Sequence, residues 1–384
     1  MKLFKSLLVA PAALGLLAPM TATANELNLN DVSGYSSSEE IQNISEFNAA
    51  DLAITNSRVD GLEARFNDYE AGAFSSTTSA SFSVDMAIGA VSGKGISTGV
   101  TDGDEAVQTA YGYQIDLSTS FTGEDSLNVA IDGGDGGTAL GELDLNDTSD
   151  KLTVDGITYT FPLGEKLTVL VGDTTDGSSL YSTACVYGGF TNTLDDCGNA
   201  SSAFTAPDDS VALSASYDIG NGFTGAFGYA GQGTSSGLMT KEGTDYYGGQ
   251  ISYAADNYGA SVTYANIESA DDTTFWGLNG YYVPDASLPS ISVGYEMGDP
   301  DTAKDTTQWF VGLEWDEVGA GTFGIAAGSK GPITDGADEL LAYEAFYSYP
   351  VNDGMTITPA VFIMENATGS EDETGVVVKT SFSF

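Results

Sequence analysis

The stretch that decides the fold is the C-terminal run Thr374–Phe384, which reads T-G-V-V-V-K-T-S-F-S-F. Every second position of this run holds a β-branched or aromatic residue, namely Val376, Val378, Thr380, Phe382 and Phe384. Because successive side chains of a β-strand point to opposite faces, such alternation indicates a strand with one apolar face. Lys379 falls on the other face.

The same period of two recurs along the chain from Phe74 onward. Two strands around Phe82–Ile88 and Val107–Leu117 come first. The alternation then predicts strands near 125–131, 152–161, 165–173, 209–218, 222–231, 245–254, 257–267, 273–283, 288–297, 305–315, 320–328, 339–349, 354–365 and 374–384, which makes sixteen in all. The strand at 354–365 contains Pro359, a residue that central strands disfavour.

The links between these strands alternate between two classes. Even-to-odd links are tight turns, such as Gly123-Glu124, Gly220-Asn221 and Pro350–Asp353. Odd-to-even links include much longer segments, at 91–106, 132–151, 174–208 and 232–244. Short turns on one rim and long loops on the other are typical of transmembrane β-barrels. No run of about 18 apolar residues follows the N-terminal segment, so a membrane-spanning structure would have to be a closed barrel.

Two interpretations of the final strand compete. A soluble β-protein can end on an alternating strand whose last residue happens to be Phe. The run also resembles the signal by which Gram-negative outer-membrane barrels are inserted, since Phe384 ends the chain and Phe382 precedes it by two residues. That signal usually has Gly where this chain has Lys379. In the barrel interpretation the strand pairs with the one that begins near Thr77, which leaves no edge exposed to lipid.

The N-terminal residues are typical of a secretory signal peptide. Lys2 and Lys5 are followed by an apolar stretch, Leu7–Leu17, and by the cleavage motif Ala22-Thr23-Ala24. We therefore expect residues 1–24 to be removed by cleavage near Ala24.

Residues 25–73 follow a helical period instead of a strand period. Residues that would form one stripe along a helix recur at alternating spacings of three and four. They are Leu52, Thr55, Val59, Leu62, Phe66 and Tyr69. This stripe predicts either one amphipathic helix or a short coiled coil. The predicted fold is thus all-β, an antiparallel barrel over residues 74–384 preceded by a short helical or coiled-coil segment.

Charge and composition exclude several functions. The chain has 11 basic and 55 acidic residues, which makes nucleic acid an improbable partner because phosphate binding needs basic patches. It has no histidine, which removes histidine-based nucleophilic and metal chemistry. We predict no enzyme activity and no cofactor.

Cys185 and Cys197 lie in one Gly/Ser/Asp-rich stretch, where an exported chain favours a disulfide over a two-thiolate metal site. Two acidic segments, Asp132–Gly137 and Asp144–Asp150, carry oxygen ligands that calcium prefers. Neither has EF-hand spacing, so we interpret both as turns and predict no metal site.

A barrel of sixteen strands is too wide for its inward side chains to fill, so the predicted interior is a water channel. The inward charges predicted from the register are Asp85, Asp116, Glu314 and Glu344, opposed by Lys166 and Lys379. Such a lumen should favour cations. Trp309 and Trp315 share the outward face of one strand, where they are candidates for the two aromatic girdles of a membrane band.

Several segments are similar to cyanobacterial outer-membrane porins, most closely those of marine picocyanobacteria. They are the signal sequence K-S-L-L-V-A-P-A-A-L-G-L-L-A-P, Ile44–Phe47, the run R-V-D-G-L-E-A-R at 58–65, Phe74–Thr78 and Gly164–Gly172. The resemblance implies a wall-binding S-layer-homology domain, a coiled-coil stalk and an OprB-like barrel. Only ten residues separate Phe47 from Arg58, where a full wall-binding domain would stand, so we expect at most a weak peptidoglycan contact.

The resemblance also implies a function and a site. The implied function is a homotrimeric porin in outer-membrane lipid that passes small hydrophilic solutes and inorganic ions. Alternatives are a substrate-specific channel for carbohydrate or iron species, a linker between outer membrane and wall, and a secreted calcium-dependent adhesin. In familiar sixteen-strand porins the third long loop folds into the barrel, which would place near the constriction Asp173, Asp176, Asp195, Asp196, Asp208 and Asp209. The alternative is a solvated external loop.

Overall fold

Sixteen strands form wherever the sequence alternates between apolar and small or polar residues. The computed structural model describes residues 77–93, 106–136, 139–195, 197, 210–232, 237–240, 243–269, 272–284, 288–367 and 371–384. The strands are β1 (Thr78–Ser92), β2 (Gln108–Thr119), β3 (Ser126–Gly134), β4 (Thr153–Leu163), β5 (Leu167–Asp173), β6 (Val211–Gly220), β7 (Phe223–Gly231), β8 (Asp245–Ala254), β9 (Tyr258–Glu268), β10 (Thr273–Tyr282), β11 (Ser290–Pro300), β12 (Thr306–Val318), β13 (Gly321–Ser329), β14 (Leu341–Asn352), β15 (Met355–Met364) and β16 (Glu373–Ser383). The predicted N-terminal segment 25–73 lies outside the described residues.

Each strand pairs antiparallel with its neighbours in sequence, and the last pairs with the first. Across this closing pair, Ala87 of β1 lies opposite Lys379 of β16 and Met86 lies opposite Thr380. The two ends are also joined by backbone hydrogen bonds between Phe82 and Phe384. The predicted closed sixteen-strand barrel is therefore confirmed, with strand boundaries displaced by only a few residues.

Small elements complete the described architecture. A two-residue strand, Ile333–Thr334, extends the pairing of β12 at the long-loop rim. Gly141–Leu143 forms one turn of 3-10 helix. In the described ranges no helix is both long and apolar enough to cross a membrane.

The two rims differ as the sequence predicts. Tight turns join β4 to β5, β6 to β7, β12 to β13 and β14 to β15, whereas the connection from β5 to β6 is the longest on the opposite rim. The turn between β6 and β7 needs left-handed backbone at Gly220, Asn221 and Gly222, with φ of 98°, 56° and 83°. Gly and Asn tolerate this conformation best, so the sequence Gly-Asn-Gly sets the turn.

The alternation separates an outward apolar face from an inward face. Met86 and Val361 on the outward face are 54% and 47% exposed, while their inward neighbours Ala87 and Ala360 are 2% and 6% exposed. An outward apolar band of this kind is characteristic of barrels that face lipid. Pro359 lies on the outward face of β15, and the pairing with β14 is interrupted between Ala360 and Ile357 because proline has no N–H to donate.

Candidate pore constriction

The loop that follows β5 turns into the barrel and lies along the inner wall. Its described part, residues 174–195 and 197, is tied to inward side chains of successive strands. The Leu180 N–H donates to Ser214 Oγ of β6 at 3.3 Å. The Ser182 N–H donates to Gln250 Oε1 of β8 at 2.7 Å, and Gln250 Nε2 donates back to the Ser182 carbonyl at 2.8 Å.

The next anchor is on β11, where the Val186 N–H donates to Ser292 Oγ at 3.0 Å. Two strands, β9 and β10, lie between β8 and β11. The segment from Ser182 to Val186 therefore passes over these two strands on the inner wall. It covers Ser261 and Asn279 on the intervening strands, which are 3% and 4% exposed.

The loop reaches its main anchor at Glu344 on β14. This carboxylate accepts hydrogen bonds from the Tyr187 hydroxyl at 2.7 Å, the Phe190 N–H at 3.0 Å, and the N–H and hydroxyl of Thr191 at 2.8 and 2.6 Å. Glu314 on β12 accepts one further hydrogen bond, from the Gly188 N–H at 3.2 Å. Both carboxylates thus hold the loop against the wall.

Aromatic packing supports these hydrogen bonds. The Tyr187 ring lies 5.5 Å from Phe310 of β12 and 5.9 Å from Phe346 of β14, measured between ring centroids. Burial raises the pKa of Tyr187 well above its ordinary range, and the Glu344 carboxylate raises it further. The tyrosine therefore remains a neutral hydrogen-bond donor. The Lys379 ammonium of β16 lies 5.4 Å from the centroid of the Phe190 ring, within cation–π range.

Cys185 and Cys197 form a disulfide, with their Cα atoms 5.9 Å apart. The bond closes a ring of residues, 185–197, within the inserted loop. Cys197 is fully buried and Cys185 is partly exposed. The loop is thus fixed both to itself and to the wall.

A second loop, between β3 and β4, also enters the barrel, which the alternation of the strands does not predict. Leu140, Leu143 and Leu145 are buried in one apolar cluster with Phe190 and Leu194 of the first loop. The Asn192 N–H donates to the Glu142 carbonyl at 2.8 Å, and the Thr193 hydroxyl donates to the Glu142 carboxylate at 2.8 Å. The spacing of three leucines in a Gly/Asp-rich loop is the signal that could have revealed this packing.

The inserted loops divide the inner wall into two regions. The covered wall consists of inward side chains that the loops bury, on β8–β15 and also toward the long-loop ends of β1 and β2, namely Gln250, Ser261, Asn279, Ser292, Phe310, Glu344, Phe346 and Phe362 together with Ala87, Val91 and Ala110. The open wall consists of inward side chains on β1–β4 that stay partly or fully exposed, namely Ser83, Asp85, Gln114, Asp116, Asn128 and Thr158. The side chains of the open wall are thus accessible to solvent.

The predicted site residues separate along this division. Asp85 and Asp116 lie on the open wall, where Asp116 accepts a hydrogen bond from Gln114 Nε2 at 3.0 Å. Asp195 accepts from the Gly189 N–H at 3.2 Å within the ring, and Asp176 lies at the start of the inserted loop. Glu314 and Glu344 bind the loop, and Lys379 faces inward beside it.

The placement of Asp173 near the constriction is corrected by the register of β5. Asp173 lies directly opposite Ile157 and Val211, whose side chains point outward. Because paired residues on neighbouring strands share a face of the sheet, the Asp173 side chain also points outward. Asp196, Asp208 and Asp209 lie outside the described residues.

The two tryptophans lie on the outward face of β12, as the register predicts. Trp309 Nε1 donates to Glu339 Oε1 at 2.5 Å near the long-loop rim, and the Trp315 ring packs 5.7 Å from that of Phe323 near the other rim. Their role as membrane girdles stays a prediction.

Known structures share this fold. OprB of Pseudomonas putida superimposes with a TM-score of 0.60 at 11% identity, over 80% of this chain and 94% of that one. An anion-selective porin from Comamonas acidovorans gives 0.58 at 16% identity, over 80% and 99%. A mutant of the Rhodopseudomonas blastica porin gives 0.52 at 17% identity, over 80% and 100%. The chain thus has the fold of the sixteen-strand porins.

Comparison of sequences adds little to the fold assignment. No family model matches the chain. An uncharacterized protein of Nostoc sp. is 24% identical over an alignment 447 residues long, gaps included. The alignment covers 95% of this chain and 74% of that protein.

Proposed function

We propose that the chain is a porin that lets small hydrophilic solutes and inorganic ions diffuse passively through its barrel. The observation that carries this proposal is the open wall, a strip of polar and acidic side chains left accessible inside a closed sixteen-strand barrel. A barrel of this width leaves room for water. The inserted loops narrow it without burying that strip.

The same strip supports a preference for cations. Asp85 and Asp116 face the accessible part of the lumen, whereas Lys379 is drawn toward the Phe190 ring and Lys166 lies at the short-turn rim. Fixed charges that line a narrow water-filled path favour counter-ions of opposite sign. The similarity to an anion-selective porin concerns the fold, and the lumen charges of this chain argue for the opposite selectivity.

Purified protein in planar lipid bilayers tests both parts of the proposal. We expect stepwise conductance that grows with salt concentration, and a reversal potential in a salt gradient that indicates cation preference. Protein that inserts without producing conductance steps would refute the porin, and a reversal potential of the opposite sign would refute only the cation preference.

A substrate-specific channel is the second candidate, because two loops rather than one narrow the barrel. A carbohydrate or chelated iron species that binds at the constriction should block ion current in a saturable way. Linear, unsaturated effects of these solutes would favour the passive pore.

We further propose that the protein is a trimer in the outer membrane of a cyanobacterium, exported by cleavage near Ala24. The wide outward apolar face supports a lipid environment. Membrane fractionation, N-terminal sequencing and native mass measurement in mild detergent test the location, the cleavage and the trimer. A peptidoglycan pull-down tests any wall contact of residues 25–73.

A further inference from the structure

Glu344 combines features that an ordinary pore-lining carboxylate lacks. Its side chain is 4% exposed, and it accepts four hydrogen bonds, all from residues 187–191 of the inserted loop. No lysine or arginine in the described part of the chain forms an ion pair with it. Loss of loop contact would therefore leave a carboxylate without its partners beside the apolar ring of Phe362, which lies directly across from it on β15.

The four donors share a second property. All of them lie inside the ring that the Cys185–Cys197 disulfide closes. The ring is also braced from within, because Asp195 accepts from the Gly189 N–H. Closing a short ring removes most of the conformations in which these donors would point apart, so the entropy lost on binding Glu344 is smaller.

We propose that Glu344 is the residue that positions the constriction loop, and that the disulfide-closed segment 185–197 presents the donor groups that bind it. This inference rests on the proposed porin function. Four hydrogen bonds to one carboxylate are strong and directional, so together they set how far the loop projects into the lumen. Glu344 then controls the size and steadiness of the pore, while its buried charge contributes little to ion selectivity.

The disulfide makes this device sensitive to reduction. A dithiol reductant would supply two electrons and two protons, converting the Cys185–Cys197 bond into two thiols while the reductant forms its own disulfide. Cys185 is partly exposed and offers the point of attack. The opened segment keeps its donors but loses their arrangement, so the loop should detach from Glu344 for part of the time.

Single-channel recording of four proteins tests the proposal. They are wild type, Glu344→Ala, the paired Cys185→Ser and Cys197→Ser variant, and Asp116→Asn as a matched removal of one lumen carboxylate. Heat-modifiable migration in gels checks that each barrel is folded. We expect Glu344→Ala and the paired serine variant to lose the steady conductance level and fluctuate between levels. Asp116→Asn should keep steady steps and change the reversal potential.

Treatment with dithiothreitol tests the role of the disulfide independently of the variants. It should make the wild type fluctuate like Glu344→Ala and have no effect on the paired serine variant. Glu344→Gln should be intermediate, since the amide keeps one acceptor but sets an N–H₂ group against the donors of Thr191.

The opposing outcomes are distinct. Steady steps with altered selectivity in Glu344→Ala would make Glu344 a pore-lining charge and overturn the proposal, as would a wild type indifferent to dithiothreitol. If Glu344→Ala does not assemble, Glu344→Gln and the paired serine variant decide the question. Absence of channels in the wild type would instead refute the porin function.

Discussion

The covered wall and the open wall are built from the same strand pattern, yet they carry different side chains. On the covered wall, aromatic residues such as Phe310, Phe346 and Phe362 accompany carboxylates that bind the loop. On the open wall, Ser83, Asn128 and Thr158 accompany Asp85 and Asp116, whose carboxylates the loop does not use. Inward position alone therefore does not make an acidic residue part of the pore, because the covered part of the inner wall is packed like a protein core.

Excising the inserted loop should have the largest effect. Replacing residues 177–197 with a short Gly/Ser linker removes the part of the inserted loop that covers β8–β15. We therefore expect single-channel conductance to rise several-fold. The exposed aromatic residues should also lower stability, because they would then face water. Single-channel recording measures the first effect and urea unfolding the second.

Shortening the rim segment 301–305, which joins β11 to β12, is the matched control and should leave conductance unchanged. Equal conductance in the loop-excised and intact proteins would show that the loop does not limit the current. The distinction between the two walls would then have no consequence for transport.

A smaller effect is expected from Phe310→Ala on the covered wall. Phe310 is 1% exposed and packs against Tyr187, so its truncation should leave a cavity between loop and wall. Phe→Ala changes in cores typically cost about 3–5 kcal/mol of unfolding free energy. Urea unfolding of the barrel in lipid vesicles measures this cost.

Thr158→Ala on the open wall is the control for that measurement. Its side chain is only partly buried, and a polar surface substitution usually changes stability by about 0.5 kcal/mol or less. Similar losses for both variants would mean that the covered wall is no more core-like than the open wall.

The barrel itself was predictable because its determinant is local. A period of two over each of sixteen segments fixes which side chains point outward, and the lengths of the links fix the two rims. The same pattern placed Asp85, Asp116, Glu314, Glu344 and Lys379 on the inward face. Asp173 was misplaced because it was grouped with the loop by sequence position instead of by the register of β5.

The division of the lumen was not predictable in the same way. It depends on contacts between residues far apart in sequence, such as Thr191 with Glu344 and Asn192 with Glu142. Strand alternation shows that a side chain faces the lumen but not what lies over it. Leu140, Leu143 and Leu145 were the local indication of a second inserted loop, since apolar residues gain little on a solvated loop.

A still smaller effect should follow from removing one charge on the open wall. Asp116→Asn should reduce cation preference without changing the step size. In a water-filled lumen one carboxylate stabilises a cation at 4 Å by about 1 kcal/mol, so the permeability ratio should fall by roughly fivefold at most. Reversal potentials in a salt gradient measure the ratio.

Asp173→Asn removes the same charge from the outward face at the end of β5 and is the matched control. We expect it to leave selectivity unchanged. Equal shifts for Asp116→Asn and Asp173→Asn would indicate that selectivity reflects overall charge and not the open wall.

The smallest predicted effect concerns the turn below the open wall, between β2 and β3. The Asp125 carboxylate accepts hydrogen bonds from the N–H groups of Phe121 and Thr122, from the Ser120 and Thr122 hydroxyls, and from the Tyr159 hydroxyl. The backbone hydrogen bond from Thr122 is the main reason that the pKa of Asp125 is lowered, and the Tyr159 and Ser120 hydroxyls add to it.

A lowered pKa means that Asp125 stabilises the folded turn at every pH above the ordinary aspartate value of about 3.9. That contribution is lost as the pH falls through the lower pKa of the folded state. Asp125→Asn should therefore speed hydrogen exchange at the Phe121 and Thr122 amides near neutral pH, relative to their intrinsic rates. It should leave the loop amides of Phe190 and Thr191 protected, since their acceptor Glu344 belongs to the covered wall. Glu124→Gln, the adjacent exposed carboxyl, is the control, and a loss of protection at Phe190 in Asp125→Asn would show that the two regions are coupled.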